Sequence, residues 1–195
     1  MKKFLVVMLS LMMVFAMCAC GEKEESSEVA NPVIECTYDE LIEKGGVDIK
    51  APENAEDVQY SYIEADGQEM ISQVAFTVDG KEFCYRAQPT GITNIMANTD
   101  GTEVSMDKLV DALNDGTQIG AALSGLNYEW SACASVDVDY CEGICAFNEG
   151  EAGFIAWLDV APGILYSLGM DNGCTQDLLM DTANDIFVPV QGNVG

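Results

Sequence analysis

The groups in this chain that can do chemistry are eight cysteines and 33 carboxylates, and they stand without a single histidine. That absence removes the commonest general base, the commonest metal ligand and the usual switch near neutral pH. Ser-His and Cys-His nucleophilic pairs are excluded with it. A thiolate zinc site needs tight ligand pairs. Cys141-Glu-Gly-Ile-Cys145 comes closest, with three residues between the thiols, and no second pair accompanies it. No Cys-x-x-Cys pair supports thiol redox chemistry either. Two carboxylates can cleave a glycosidic bond when one is desolvated and the other lies roughly 5 to 10 Å away. In a chain this acidic, finding such a pair says little by itself. No cofactor or metal is expected.

One cysteine has a different chemistry. Lys2 and Lys3 precede an apolar run from Phe4 to Met17, and Cys18-Ala19-Cys20-Gly21 follows. A membrane-crossing helix needs about 20 apolar residues, so this shorter run reads as a secretory signal peptide. Its end resembles the bacterial lipobox, in which a small residue precedes a cysteine that receives a diacylglyceryl group. Cys20 matches best, with Ala19 before it, whereas Cys18 would put Met17 in the small-residue slot. The resulting expectation is a signal over residues 1–19, lipid on Cys20, an acidic flexible tether over 20–31 and one globular domain over 32–192. An ordinary signal peptide that is cut nearby and left unlipidated is the alternative. Each buried methylene contributes about 0.8 kcal/mol to membrane attachment, and stable anchoring takes more than one chain. The domain should therefore stay at the outer face of the cytoplasmic membrane.

Removing Lys2 and Lys3 takes the formal charge from −25 to −27. Such a surface repels nucleic acid and anionic headgroups, so no nucleic-acid partner is expected. With Cys18 and Cys20 set aside, Cys36, Cys84, Cys133, Cys141, Cys145 and Cys174 remain. Six cysteines in an exported domain read as up to three disulfides, with fifteen possible connectivities, and a reducing habitat would leave thiols. Cys84–Cys133 is the preferred pair, ahead of Cys141–Cys145 and Cys36–Cys174.

The elements that must carry these groups follow from local pattern. Thr37-Tyr38-Asp39-Glu40 is a capping box for a short helix through Leu41 and Ile42, stopped by Gly45-Gly46. Val47 to Ala51 reads as extended before Pro52. Strands are expected around Val58, Tyr60 and Tyr62, then through Val74, Phe76 and Val78. Asp66-Gly67 turns the chain between them, and Asp79-Gly80 is a strong two-residue hairpin signal. The return strand puts Phe83 and Tyr85 inward, with Glu82, Cys84 and the lone arginine, Arg86, outward beside a local carboxylate. Gln88 to Val104 is an irregular connection. Asn98-Thr99-Asp100-Gly101 fails as a calcium loop because Met96 would take the first ligand position, so it is a turn. Ser105 caps a short helix through Leu113.

Tyr128 to Asp139 alternates cleanly between apolar and polar residues, which predicts an antiparallel sheet with one dry and one wet face. Asp137, Asp139 and Glu142 are read as a solvated face in preference to a cation site. Turns at Tyr140–Gly143, Glu149–Glu151 and Pro162-Gly163 join three further strands into a meander. A last helix, capped by Cys174 or Thr175, carries Leu179, Ala183 and Ile186 on one side. The class is α+β: a single curved antiparallel sheet packed by an N-terminal and a C-terminal helix.

From Asn31 to Gly192 the chain resembles a family of small lipoproteins from Gram-positive gut anaerobes that has no known activity. The residues that carry the resemblance are Asn31-Pro32, Pro52-Glu53-Asn54-Ala55, Phe83-Cys84-Tyr85-Arg86-Ala87, Trp157 through Leu168 and Val188-Pro189-Val190-Gln191. It implies the same helix–sheet–helix architecture at the membrane's outer face and transfers no catalytic residue. Three functions are in view. A non-enzymatic module that binds or senses a small ligand or an envelope protein comes first. An envelope structural or assembly role comes second, and a carboxylate-based glycan hydrolase third.

Overall fold

The computed structural model describes residues 33–64, 70–89 and 130–189. Within them eight strands form one antiparallel sheet and two helices pack on it. The strands are β1 (Val33–Cys36), β2 (Glu56–Ile63), β3 (Ile71–Val78), β4 (Lys81–Pro89), β5 (Ala132–Val138), β6 (Cys141–Phe147), β7 (Gly153–Asp159) and β8 (Ile164–Met170). Helix α1 spans Tyr38–Gly45 and α2 spans Gln176–Ile186. The spatial order is β1-β2-β3-β4-β8-β7-β6-β5. Two four-stranded meanders therefore meet where β4 pairs with β8, and the α+β class read from the sequence holds.

Local chemistry accounts for the ends of the elements. Thr37 Oγ1 accepts from the Glu40 amide, while the Glu40 carboxylate accepts from the Thr37 amide at 2.8 Å. Gly46, at φ 66°, takes the left-handed turn that stops α1. Asp79 and Gly80 both have positive φ, at 52° and 72°, as a tight hairpin requires. Thr175, rather than Cys174, caps α2 by accepting from the Leu178 amide.

One face of the sheet carries Val74, Phe76, Phe83, Tyr85, Ile155, Trp157, Tyr166 and Leu168, all buried. Helix α1 covers its β2–β3 end through Leu41, and α2 covers the β5–β8 end through Leu179, Ala183 and Ile186. A Cβ at Gly45 would run into the Ser72 hydroxyl, so glycine lets α1 sit against β3 without turning that side chain aside. Tyr85, Trp157 and Tyr166 stack with centroids 5.7 to 6.1 Å apart, and Phe187 meets Trp157 and Tyr166 edge-on. Pairs of this kind add about 0.5–1.5 kcal/mol beyond their area burial.

The other face corrects the reading of one dry and one wet side. Ile63, Ile71, Ile144, Ala146, Leu158 and Leu165 point there and are all buried. Cys84 and Arg86, expected outward, are buried as well. The strand expected over Tyr128–Asp139 is Ala132–Val138, and its hairpin turn is Asp139-Tyr140, with β6 starting at Cys141. Val58 leaves the alternation because β2 bulges between Glu56 and Gln59, with Asp57 at φ 51°. The signal peptide, Cys20, the tether, the Asp66-Gly67 turn, the Asn98–Gly101 turn and the Ser105 helix lie outside the described residues.

Candidate functional site

The second face holds the most unusual chemistry among the described residues. The strand registers line up Ser61 on β2, Gln73 on β3, Arg86 on β4 and Ser167 on β8 as one row across four strands. Each points away from the helices because it alternates with a core residue such as Tyr62, Val74, Tyr85 or Leu168. Arg86 is 2 % exposed, and Ser61, Ser167 and Gln88 are buried beside it. Arg86 Nε donates to Gln73 Oε1 at 2.7 Å, and Gln73 Nε2 donates in turn to Ser61 Oγ at 3.0 Å. The carboxylate expected beside Arg86 is, at Nε, this glutamine.

A guanidinium taken out of water is costly unless its donors are met, so such a row fixes side chains that apolar neighbours alone would leave loose. Beyond Ser167 the row continues as Ala156 and Ile144, and so turns apolar. The face thus has a polar half over β2–β8 and a greasy half over β7–β6.

Two carboxylates stand at the rim of the polar half. Extending the β4–β8 register by one pair on the same face places Glu82 opposite Asp171. Desolvation raises the Asp171 pKa, the Glu82 charge pushes it the same way, and the field of Arg86 opposes both. On the helix face, Asp159 is wholly buried at the end of β7, where the registers set it near Cys141 and Tyr166. Burial first, then the Asp159 and Asp139 charges, push the Cys141 thiol up to about 12. Burial and then Asp159 likewise raise Tyr166.

The six cysteines are scattered. Cys84 and Cys133 sit on the same face, but β4 and β5 are four strand spacings apart, about 19 Å. A disulfide needs Cα atoms within about 7 Å, so that preferred pair is corrected. Cys141 and Cys145 lie four residues apart along one strand, about 13 Å, and do not bridge. Cys36 stands on edge strand β1, while Cys174 Sγ lies over Gly153 on β7. That third pair is corrected too. Cys36, Cys133, Cys141, Cys145 and Cys174 are free thiols. Burial pushes Cys133 and Cys174 up to about 11 and Cys145 to about 12, which makes them poor nucleophiles.

Asp137 and Glu142 face each other across the β5–β6 hairpin and are exposed. The Asp139 amide donates to Asn184 Oδ1 at 3.0 Å, which ties the hairpin to α2. Among the described residues no group of three or more metal-ligating side chains converges, and no helix is long and apolar enough to cross a membrane.

Fold and site together define an α+β protein with an open eight-stranded sheet and a buried arginine-centred row on the face away from its helices. Comparison with protein families, curated proteins and solved structures finds no significant match to this chain.

Proposed function

We propose that the chain is an extracytoplasmic lipoprotein, held to the membrane through Cys20, whose domain is a non-enzymatic module that binds or senses a ligand. The observation that carries the binding half is the Ser61–Gln73–Arg86–Ser167 row, set in a face whose other half is apolar. A few polar groups placed within an otherwise apolar interior suit the lining of a site for a ligand with both characters, such as a lipid, a peptide or a wall fragment. The absence of histidine favours binding over acid–base catalysis. Calorimetric titration with lipids, peptides and wall fragments tests the reading. Saturable heat that weakens in Ser167→Leu supports it, and no heat from any of the three classes counts against it. Acylation is tested separately by the mass of the Cys20 peptide.

The second reading is a carboxylate hydrolase, and its specific support is that Glu82 stands opposite Asp171, whose pKa desolvation raises. Glu82 is exposed, which places the pair at a rim. Glycan cleavage that disappears in Glu82→Gln would favour this reading over binding.

A further inference from the structure

The two outer edges of the sheet are unlike. Strand β1 is four residues long, follows Pro32 directly and gives way to α1 one residue later. Strand β5 has seven residues, Ala132 to Val138, and contains neither proline nor lysine. Short strands, prolines and lysines are the usual means by which an edge avoids pairing. All seven β5 residues are in register with β6 on the inner side. On the outer side β5 has no neighbouring strand among the described residues. Its outward amides and carbonyls form a row that matches another antiparallel strand.

We propose that β5 is a self-association seam: a second copy adds its own β5 antiparallel, with Ser135 on the two-fold axis, so that the two sheets run on as one. This register pairs all seven residues, and the side chains suit it. On the helix side, Ala132 meets the partner's Val138 and Ala134 meets the partner's Val136, small against β-branched. On the other side, Ser135 meets the partner's Ser135, and Cys133 meets the partner's Asp137. No two carboxylates are opposed, which is the pairing that would destabilise such a seam. The two Asp137 side chains stand four residues apart along it, about 13 Å, beyond the Debye length of about 8 Å at physiological salt. Half-exposed Ala132, Ala134 and Val136 lose water on pairing.

Charge gives the seam a signature. Each copy carries a formal charge of −25 on the full chain, so the approach of two copies is opposed by long-range repulsion that salt screens. The Debye length falls from about 10 Å at 0.1 M to about 3 Å at 1 M. Association should tighten with salt, the reverse of an interface built on ion pairs.

Sedimentation velocity of the full chain in mild detergent, across a concentration series at 0.1 M and 1 M NaCl, tests this. The expected result is a monomer–dimer equilibrium whose Kd falls several-fold at the higher salt. Ser135→Pro removes an edge amide and should abolish the dimer. Ser135→Asp, at an exposed position, should keep the circular dichroism spectrum of the fold and weaken association tenfold or more, because it places two carboxylates on the axis. Oxidised Ser135→Cys should give an intermolecular 135–135 crosslink on peptide mapping. A chain that stays monomeric throughout, or a dimer untouched by Ser135→Asp, or a crosslink mapping to another position overturns the proposal.

Discussion

Both faces of the sheet bury large side chains, the helix face more of them, and they do it in different ways. The helix face is closed by α1 and α2, and its centre is the aromatic group of Tyr85, Trp157, Tyr166 and Phe187. Among the described residues its one buried carboxylate, Asp159, sits at a strand end. The opposite face has isoleucine, leucine and alanine over β6 and β7 but carries a charged, hydrogen-bonded row over the strands from β2 to β8. The helix face is held by shape and by water exclusion. The second face adds direction, because the planar guanidinium of Arg86 is oriented by its Nε bond to Gln73. That difference is why the second face, and not the better-packed one, is where recognition is proposed.

Substitutions can break this comparison or sharpen it. Trp157→Ala on the helix face should cost the most, about 3–5 kcal/mol by urea unfolding, because it removes a ring shared by three aromatic partners. Ile144→Ala on the second face should cost about 2–4 kcal/mol if that face is interior. A loss within about 0.5 kcal/mol would return it to the solvated class and dissolve the contrast. Gly153→Ala should cost about 1–3 kcal/mol by overpacking, since a Cβ there would lie 2.3 Å from Cys174 Sγ and 2.6 Å from Phe147 Cβ.

The smallest effect is electrostatic. Because desolvation raises the Asp171 pKa, the fold favours its protonated form more than the unfolded chain does. The stability it lends is present at low pH and is lost as pH rises through its folded pKa. Asp171→Asn should therefore raise the melting temperature slightly at pH 7, and the gain should vanish below the ordinary carboxylate range near pH 4. A variant less stable than the wild type at pH 7 would mean that Arg86 outweighs burial at this site.

Much of the fold was legible in the sequence because it is written in short-range chemistry. The Thr37–Glu40 box, Gly46, Asp79-Gly80, Gly163 and the Leu179–Ala183–Ile186 stripe each act within a few residues, and each stands where the pattern puts it. The second face was not legible, and the reason is physical. Alternation in β5, an edge strand with exposed Ser135 and Asp137, is real, but it does not extend to the central strands. There, Phe83-Cys84-Tyr85-Arg86-Ala87-Gln88 is buried at every position. Such a run without a wet alternate marks a strand covered on both sides. Arg86 masked that signal, because a lone arginine reads as a surface residue. The cysteine pairings failed for a related reason: pairing depends on strand order, and β4 and β5 follow each other among the strands in sequence while standing four places apart in space.

The claim that most of this rests on is that the Arg86 row is an interior network and not a surface contact. A double-mutant cycle in urea unfolding, with Arg86→Met, Gln73→Leu and the double variant, measures it directly. The account expects each single change to cost about 1.5–3 kcal/mol and the two to be coupled by more than about 1 kcal/mol, as for a buried hydrogen bond to a charged group. Single losses within about 0.5 kcal/mol and a coupling near zero would contradict it.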